Sequence, residues 1–160
     1  MIFITLGSQK FQFDRLLKEV DRLAKEGLFE EEVFAQIGYS TYKPQYFEYK
    51  EFLDRDEFAK YMDKSDIVIT HGGTGAIIGA VKKEKKVIAV PRLARYGEHV
   101  DDHQTQIVEQ FTDSNLISSV VDIHDLKDKY IDIKNHRFEK YISNTQRIID
   151  SIDNFIDTGF

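Results

Sequence analysis

Residues 66–80 read Asp-Ile-Val-Ile-Thr-His-Gly-Gly-Thr-Gly-Ala-Ile-Ile-Gly-Ala, and this stretch decides the fold. Its first part, residues 66–70, is a short β-branched apolar run that predicts a buried strand. A glycine-rich turn follows, and the pattern then predicts a helix over about 74–83. A strand that turns into a helix through glycines is the repeating unit of parallel α/β sheets.

The same alternation continues on both sides of this stretch. Short apolar runs predict strands over residues 2–6, 32–37, 46–52, 86–90 and 116–121. Helical spacing predicts helices from about residue 11 to Gly27, from Asp54 or Asp56 to 61, over 102–111 and over 137–156. We therefore expect an α/β fold, with a parallel sheet and helices on both faces, in one domain of 160 residues.

The composition narrows the classes of function. The chain has 22 basic and 28 acidic side chains, and a net charge of −6 counts against non-specific binding of nucleic acid. Cysteine is absent, so disulfides and cysteine zinc sites are excluded and a cytoplasmic location is favoured. No apolar run approaches the roughly 20 residues that span a bilayer.

The turn at residues 70–75 carries the clearest chemistry. Glycines let a ligand approach the backbone closely, and a helix start offers unpaired N–H groups with a partial positive charge. Together they favour an anion site, typically for phosphate, to which His71 and Thr74 can add donors. A purely structural turn is the alternative, because the tract matches neither the Walker pattern nor GxGxxG.

Residues 91–104 read Pro-Arg-Leu-Ala-Arg-Tyr-Gly-Glu-His-Val-Asp-Asp-His-Gln and leave the carboxyl end of the next strand. They should therefore face the same crevice as the glycine turn. In this interpretation Arg92 and Arg95 stabilise phosphate, while Asp102 and Gln104 bind sugar hydroxyls.

Two structural interpretations of this tract stay open, and a metal site is weighed beside them. Asp101 or Asp102 can simply cap the following helix, and the arginines can pair with Glu98 or other surface acids. The tract also contains four potential metal ligands: His99, Asp101, Asp102 and His103. No second cluster with ligand spacing accompanies them, so we predict no metal site.

Three motifs together resemble one family. They are His-Gly-Gly-Thr-Gly-Ala at 71–76, Val-Pro-Arg at 90–92 and Tyr-Gly-Glu-His-Val-Asp-Asp-His-Gln at 96–104. In this order they resemble the C-terminal, donor-binding half of MurG-like GT-B glycosyltransferases. That group includes the catalytic subunit of the eukaryotic dolichol-linked N-acetylglucosaminyltransferase and bacterial subunits that build capsules and exopolysaccharides. The resemblance covers most of the chain and is densest over residues 66–108.

The resemblance implies a Rossmann-like half of a GT-B enzyme that binds a UDP-sugar, with the diphosphate at the helix start. The implied donor-binding residues are Gly7, Ser8, His71, Gly72, Gly73, Thr74, Gly75, Arg92, Asp102, His103 and Gln104. The reaction would be an inverting displacement without a catalytic metal, and Glu98 and His99 are the candidates in this chain for the general base. Related enzymes often hold the ribose with a glutamate where this chain has Gly79.

The resemblance also implies that a separate, membrane-associated subunit supplies the acceptor site. The chain would then be cytoplasmic and recruited to the inner face of the cell membrane. There it would transfer a hexose to a lipid-linked acceptor in capsular or exopolysaccharide biosynthesis. Galactose is the favoured sugar, with N-acetylglucosamine and glucose as alternatives. The apolar stripe of the predicted 137–156 helix either packs on the sheet or docks on that partner.

Two other functions are weighed against this one. A non-catalytic scaffold that binds a nucleotide-sugar is the main alternative, and Gly79 at the usual acidic position favours it. A Rossmann-like oxidoreductase is disfavoured, because no GxGxxG follows the first strand and Gly38, rather than an acid, ends the second.

Overall fold

The computed structural model describes residues 1–141. The strands are β1 (Ile2–Thr5), β2 (Val33–Gln36), β3 (Glu48–Lys50), β4 (Ile67–His71), β5 (Lys86–Val90) and β6 (Ser118–Ser119). The helices are α1 (Asp14–Lys25), α2 (Arg55–Lys64), α3 (Thr74–Lys82), α4 (His103–Asp113) and α5 (Leu126–Ile133). Each strand predicted from the sequence is present, within a few residues at its ends.

All six strands are parallel, in the order β3-β2-β1-β4-β5-β6. The α/β fold with a Rossmann-like parallel sheet is therefore confirmed. The chain order reverses between β1 and β4, where Thr5 pairs with Thr70. Parallel sheets bind ligands outside the carboxyl ends of the strands at such a reversal. Here it brings the loop after β1 beside the glycine turn after β4.

Helices cover both faces of the sheet. They must do so because successive side chains of a strand point to opposite faces, and the apolar side chains on both faces are buried. Ile2 and Ile4 of β1 point into the core beneath α1 and α5, whereas Phe3 points into the core beneath α2, α3 and α4. The helix residues that fill the first core include Leu16, Leu17, Val20, Leu23, Leu126, Tyr130 and Ile133. Those that fill the second include Met62, Ile77, Ala80, Val81, Ile107, Val108 and Phe111.

The structure decides between the two caps predicted for α2. The Asp54 carboxylate accepts a hydrogen bond from the backbone N–H of Glu57, whose side chain reaches back to the N–H of Asp54. This reciprocal pair is a capping box, so Asp54 and not Asp56 is the N-cap residue of α2.

The C-terminal part of the chain differs from its prediction. The sequence did not predict α5, which is a short helix of eight residues whose buried positions are Leu126, Tyr130 and Ile133. Residues 137–141, where the long helix was expected to begin, are irregular. The rest of that predicted helix, 142–156, lies outside the described residues. Within residues 1–141, no helix is long and apolar enough to cross a membrane.

Candidate functional site

A cavity of about 360 Å³ opens at the carboxyl ends of β1, β2 and β4. Its polar lining residues are Thr5, Ser8, Gln9, Gln36 and His71. Its apolar lining residues are Phe52, Leu53 and Phe58, and Gly7 with Gly75 and Ala76 of α3 complete the lining. This cavity occupies the place at which the strand-order rule puts a ligand.

The N-terminus of α3 adjoins this cavity, and no acidic side chain of its first turn neutralises its partial positive charge. Gly73 is the N-cap residue; among the described residues no side chain caps the helix, and its first turn contains no acid. The first N–H groups of a helix lack intrahelical partners and carry a partial positive charge. Since Gly75 and Ala76 line the cavity, this end of α3 offers an anion site there.

The imidazole of His71 lies between two glycines. A Cβ atom added at Gly73 would stand 2.3 Å from its Cε1 atom, and one added at Gly7 would stand 2.7 Å from its Nε2 atom. Gly7 also has a φ of +74°, which other residues rarely adopt. Neither position can therefore carry a side chain unless the ring moves.

The His71 ring is neutral in the folded protein. Its side chain is buried at the end of β4, and burial lowers its pKa to about 3. The nearby Arg92 charge lowers this pKa further, while the hydrogen bond with Gln104 partly opposes the shift. His71 therefore meets a ligand as a neutral hydrogen-bonding group and not as a cation.

Gln104, predicted to bind sugar hydroxyls, makes its hydrogen bonds within the protein. Its side chain is buried, and its Oε1 atom accepts from the N–H of Gly72 at 2.9 Å and from the N–H of Arg92 at 3.0 Å. Its Nε2 atom lies 3.1 Å from Nδ1 of His71. These bonds join α4 to the ends of β4 and β5.

Gly72 is held by packing against α4. A Cβ atom there would lie 2.8 Å from Cγ2 of Val108 and 2.9 Å from Cβ of Gln104. Of the glycines in the turn, Gly72 therefore serves the contact between two elements, whereas Gly73 makes room for the imidazole.

Arg92, predicted to bind phosphate, is buried and does not line the cavity. Its guanidinium lies over the ring of Phe13, with Cζ 5.0 Å from the centroid. It donates to four backbone carbonyls, those of Leu6, Phe11, Gln12 and Glu98. Burial lowers its pKa to about 10, so it stays charged at neutral pH. This placement favours a structural role, in which Arg92 joins the loop between β1 and α1 to its own loop after β5.

Glu98, predicted as a candidate base, is completely buried. Its two oxygens accept from Nε and Nη2 of Arg15 at 3.0 and 3.1 Å, and Oε1 also accepts from the N–H of Leu93 at 3.0 Å. Two charge-assisted bonds of this kind form a strong, planar ion pair. The carboxylate therefore has no position from which to take a proton from an acceptor, and this favours a structural role.

His99, the second candidate base, is partly exposed. Its ring stacks on Phe11 at a centroid distance of 5.7 Å, and its Nδ1 atom lies 3.2 Å from Oδ1 of Asp101. The other oxygen of Asp101 lies 3.4 Å from Nδ1 of His103. Such a pairing of a histidine with a carboxylate can orient the imidazole for proton transfer.

The acids at the start of α4 have local partners. Asp101 accepts from the N–H of His103, the first residue of α4, and Asp102 accepts from the N–H of Ala94 at 2.8 Å. Asp102 is the N-cap residue of α4 by position, but its carboxylate caps no N–H group of the helix; the side-chain bond to the helix start comes from Asp101, one residue earlier. Within residues 1–141, no group of three or more His, Asp or Glu side chains is arranged to hold a metal.

Four of the predicted residues line the cavity: Gly7, Ser8, His71 and Gly75. Gly73 and Thr74 stand at the adjoining helix start, whereas Arg92 and Gln104 do not line the cavity and are hydrogen-bonded to each other. The sequence analysis missed Gln9, Gln36, Phe52 and Phe58. Gln36 ends β2 and Phe52 follows β3, so a search of each strand end would have found these two residues. Gln9 places a buried amide oxygen beside the cavity with no hydrogen-bond partner in the described part of the chain.

Comparison with known proteins identifies the family and the fold. The family model described as "Glycosyltransferase family 28 C-terminal domain" matches residues 1–156. A protein of Candida albicans named "UDP-N-acetylglucosamine transferase subunit ALG13" is 28% identical over 114 residues, which cover 71% of this chain and 33% of the relative. The protein of the same name from Debaryomyces hansenii is 29% identical over 73 residues, 46% of this chain and 34% of the relative. The chain spans about a third of the length of these curated relatives.

Two solved structures share the fold. A solution structure of ALG13 superposes with a TM-score of 0.63 at 16% identity, covering 98% of this chain and 96% of that one. The glycosyltransferase of kitacinnamycin also gives 0.63, at 13% identity, covering 96% of this chain and 38% of that one. At these identities the likeness concerns the fold.

Proposed function

The chain belongs to the glycosyltransferase family 28 C-terminal domains, and from this premise we propose that it is the donor-binding and catalytic subunit of a two-component inverting glycosyltransferase. Its donor is a UDP-sugar, and its acceptor is a lipid-linked saccharide held by a membrane-associated partner subunit. That partner recruits the chain to the cytoplasmic face of the membrane.

The observation that carries the proposal is the uncapped N-terminus of α3 beside the cavity and the His71 ring. A diphosphate placed there accepts hydrogen bonds from the first N–H groups of the helix and meets its partial positive charge. The aromatic lining residues Phe52 and Phe58 offer apolar contacts for the remainder of the nucleotide.

The proposed mechanism follows from this placement. An acceptor hydroxyl attacks the anomeric carbon, the bond from that carbon to the diphosphate oxygen breaks, and UDP leaves. The helix N-terminus stabilises the negative charge that develops on the diphosphate. A base takes the proton of the hydroxyl. Because Glu98 is buried and paired with Arg15, His99 is the candidate base in this chain, oriented by Asp101.

The sugar and the product are the finer parts of the proposal. The names of the two curated relatives support UDP-N-acetylglucosamine as donor, and the word "subunit" in those names supports a partner chain. The sequence resemblance favours galactose and a capsular or exopolysaccharide product. Galactose differs from glucose in the configuration at C4, and N-acetylglucosamine differs from glucose in its substituent at C2, so direct comparison of the three donors tests this part.

Calorimetric titration tests the donor site. The chain should bind UDP, UDP-galactose, UDP-glucose and UDP-N-acetylglucosamine saturably and should not bind NAD. Gly73→Leu should abolish binding, because the new side chain must displace the His71 ring. Gly79→Ala is the matched control, since Gly79 is an exposed position of the same helix with no described atom near its added Cβ. Equal affinity of Gly73→Leu and the parent chain would contradict the site.

A non-catalytic nucleotide-sugar scaffold is the second candidate, and the buried Glu98 favours it. Turnover by the complex reconstituted with its partner distinguishes the two functions. An enzyme subunit should lose turnover on His71→Ala, whereas a scaffold should continue to support it.

A further inference from the structure

The side-chain amide of Gln104 has a fixed orientation. Two backbone N–H groups, those of Gly72 and Arg92, both point at its Oε1 atom, at 2.9 and 3.0 Å. Rotating the amide by half a turn would set its NH₂ group against two donors and leave them unsatisfied in the interior. The Nε2 atom of Gln104 is therefore the atom that faces His71.

This orientation determines which nitrogen of His71 carries the proton. The NH₂ group of Gln104 can only donate, so Nδ1 of His71, at 3.1 Å, must accept. A neutral imidazole carries one proton, and burial next to the charged Arg92 keeps the ring neutral. The proton consequently resides on Nε2.

The Nε2 atom lies on the side of the ring that faces Gly7 and the cavity. The missing side chains of Gly7 and Gly73 leave this edge of the ring open, next to the start of α3. A protonated Nε2 there adds one side-chain donor to the N–H groups of the helix. An unprotonated Nε2 would instead set a lone pair against an incoming anion.

We propose that Gln104 is a positioning residue that holds His71 as the Nε2–H tautomer, so that this N–H donates to the diphosphate of the donor. The inference rests on the proposed function for the identity of the anion. It assigns Gln104 a task behind the imidazole instead of contact with the sugar.

Nitrogen NMR of the full chain labelled with ¹⁵N-histidine tests the tautomer directly. The chain contains five histidines, and the signals of His71 are those that disappear in His71→Asn. We expect Nδ1 of His71 to be unprotonated and Nε2 to be protonated, without change between pH 8 and pH 5. A protonated Nδ1 in the parent chain would overturn the proposal.

Gln104→Glu provides the perturbation. One carboxylate oxygen can still accept from the two backbone N–H groups, but the other now requires a proton from Nδ1 of His71. We expect Nδ1 to become protonated and the Kd for UDP to rise about tenfold, as for one lost hydrogen bond to a charged group. Gln106→Glu, an exposed position of α4, adds the same charge and should change neither. If Gln104→Glu does not fold, the spectrum of the parent chain still decides.

Titration with UDP and with uridine separates this inference from the proposed function. UDP should shift the Nε2–H signal of His71, and uridine, which lacks the diphosphate, should not. If UDP binds and the signal does not move, the proposed contact is wrong. If UDP does not bind, the proposed function fails, and the spectrum of the free chain still tests the tautomer.

Discussion

Replacing Arg92 with methionine separates a structural role from a phosphate-binding role. Methionine keeps an apolar stem over Phe13 and removes only the charged donors. Four carbonyl groups, three in the loop between β1 and α1 and one in the loop after β5, lose their partner.

The size of the effect follows from these bonds. A hydrogen bond from a charged group contributes about 1.5 kcal/mol or more. The cost of burying the guanidinium, several kcal/mol, is regained when it is removed and offsets part of the loss. We expect a net loss of about 3 kcal/mol, which is a large fraction of the roughly 5–15 kcal/mol that stabilises a domain.

Urea unfolding followed by circular dichroism measures this loss. With a slope of about 2 kcal/mol per M, the midpoint should fall by about 1.5 M. Arg95→Met is the matched control: Arg95 is exposed, and the change should stay within about 0.5 kcal/mol. An unchanged midpoint for Arg92→Met, together with weakened UDP binding, would refute the structural role and restore the phosphate contact.

Three further results are expected. Glu98→Gln should lower the free energy of unfolding by about 1–3 kcal/mol, because it breaks the ion pair with Arg15, and should leave turnover per folded molecule unchanged; a lost turnover would show a catalytic carboxylate. Thermal unfolding should show the folded protein stabilised by about 0.5–1 kcal/mol in Gly79→Ala and destabilised by about 1–3 kcal/mol in Gly72→Ala. A stabilised Gly72→Ala protein would contradict the packing of Gly72 against α4. His71 has a pKa of about 3 in the folded protein and about 6.5 in the unfolded chain. Between these pH values the unfolded chain binds more protons, so the free energy of unfolding falls as the pH drops, by up to about 1.4 kcal/mol per pH unit. Urea midpoints between pH 6.5 and 5 should therefore vary less in His71→Asn, and an equal slope would contradict the neutral buried ring.

The fold and the place of the site could be predicted because both depend on periodicity along the chain. Buried strands and glycine turns are visible as local patterns, and the strand-end rule then locates the crevice. Helix α5 was not predicted, because its only buried apolar residues are Leu126, Tyr130 and Ile133, and three such residues within eight form a weak helical pattern.

The roles of individual polar residues could not be read in the same way. Arg92 and Glu98 lie in the loop after β5, and Gln104 is the second residue of α4; both ligand contacts and loop contacts can be made in this region. A sequence names the donor or acceptor that a residue carries, but it does not say whether the partner is a ligand or a backbone carbonyl. At Arg92 and Glu98 the backbone is irregular, so no period indicates the direction of their side chains.

The imidazole between Gly7 and Gly73 also constrains the order in which this site can change over generations. While His71 is present, even a methyl group at position 73 collides with its ring. Once position 71 becomes small, alanine at 73 costs little, and a return to histidine is then blocked. Position 7 would still favour glycine after the loss of His71, because its φ of +74° does not depend on the side chain at position 71. Mutational histories at these three positions should therefore be ordered, with 71 changing before 73.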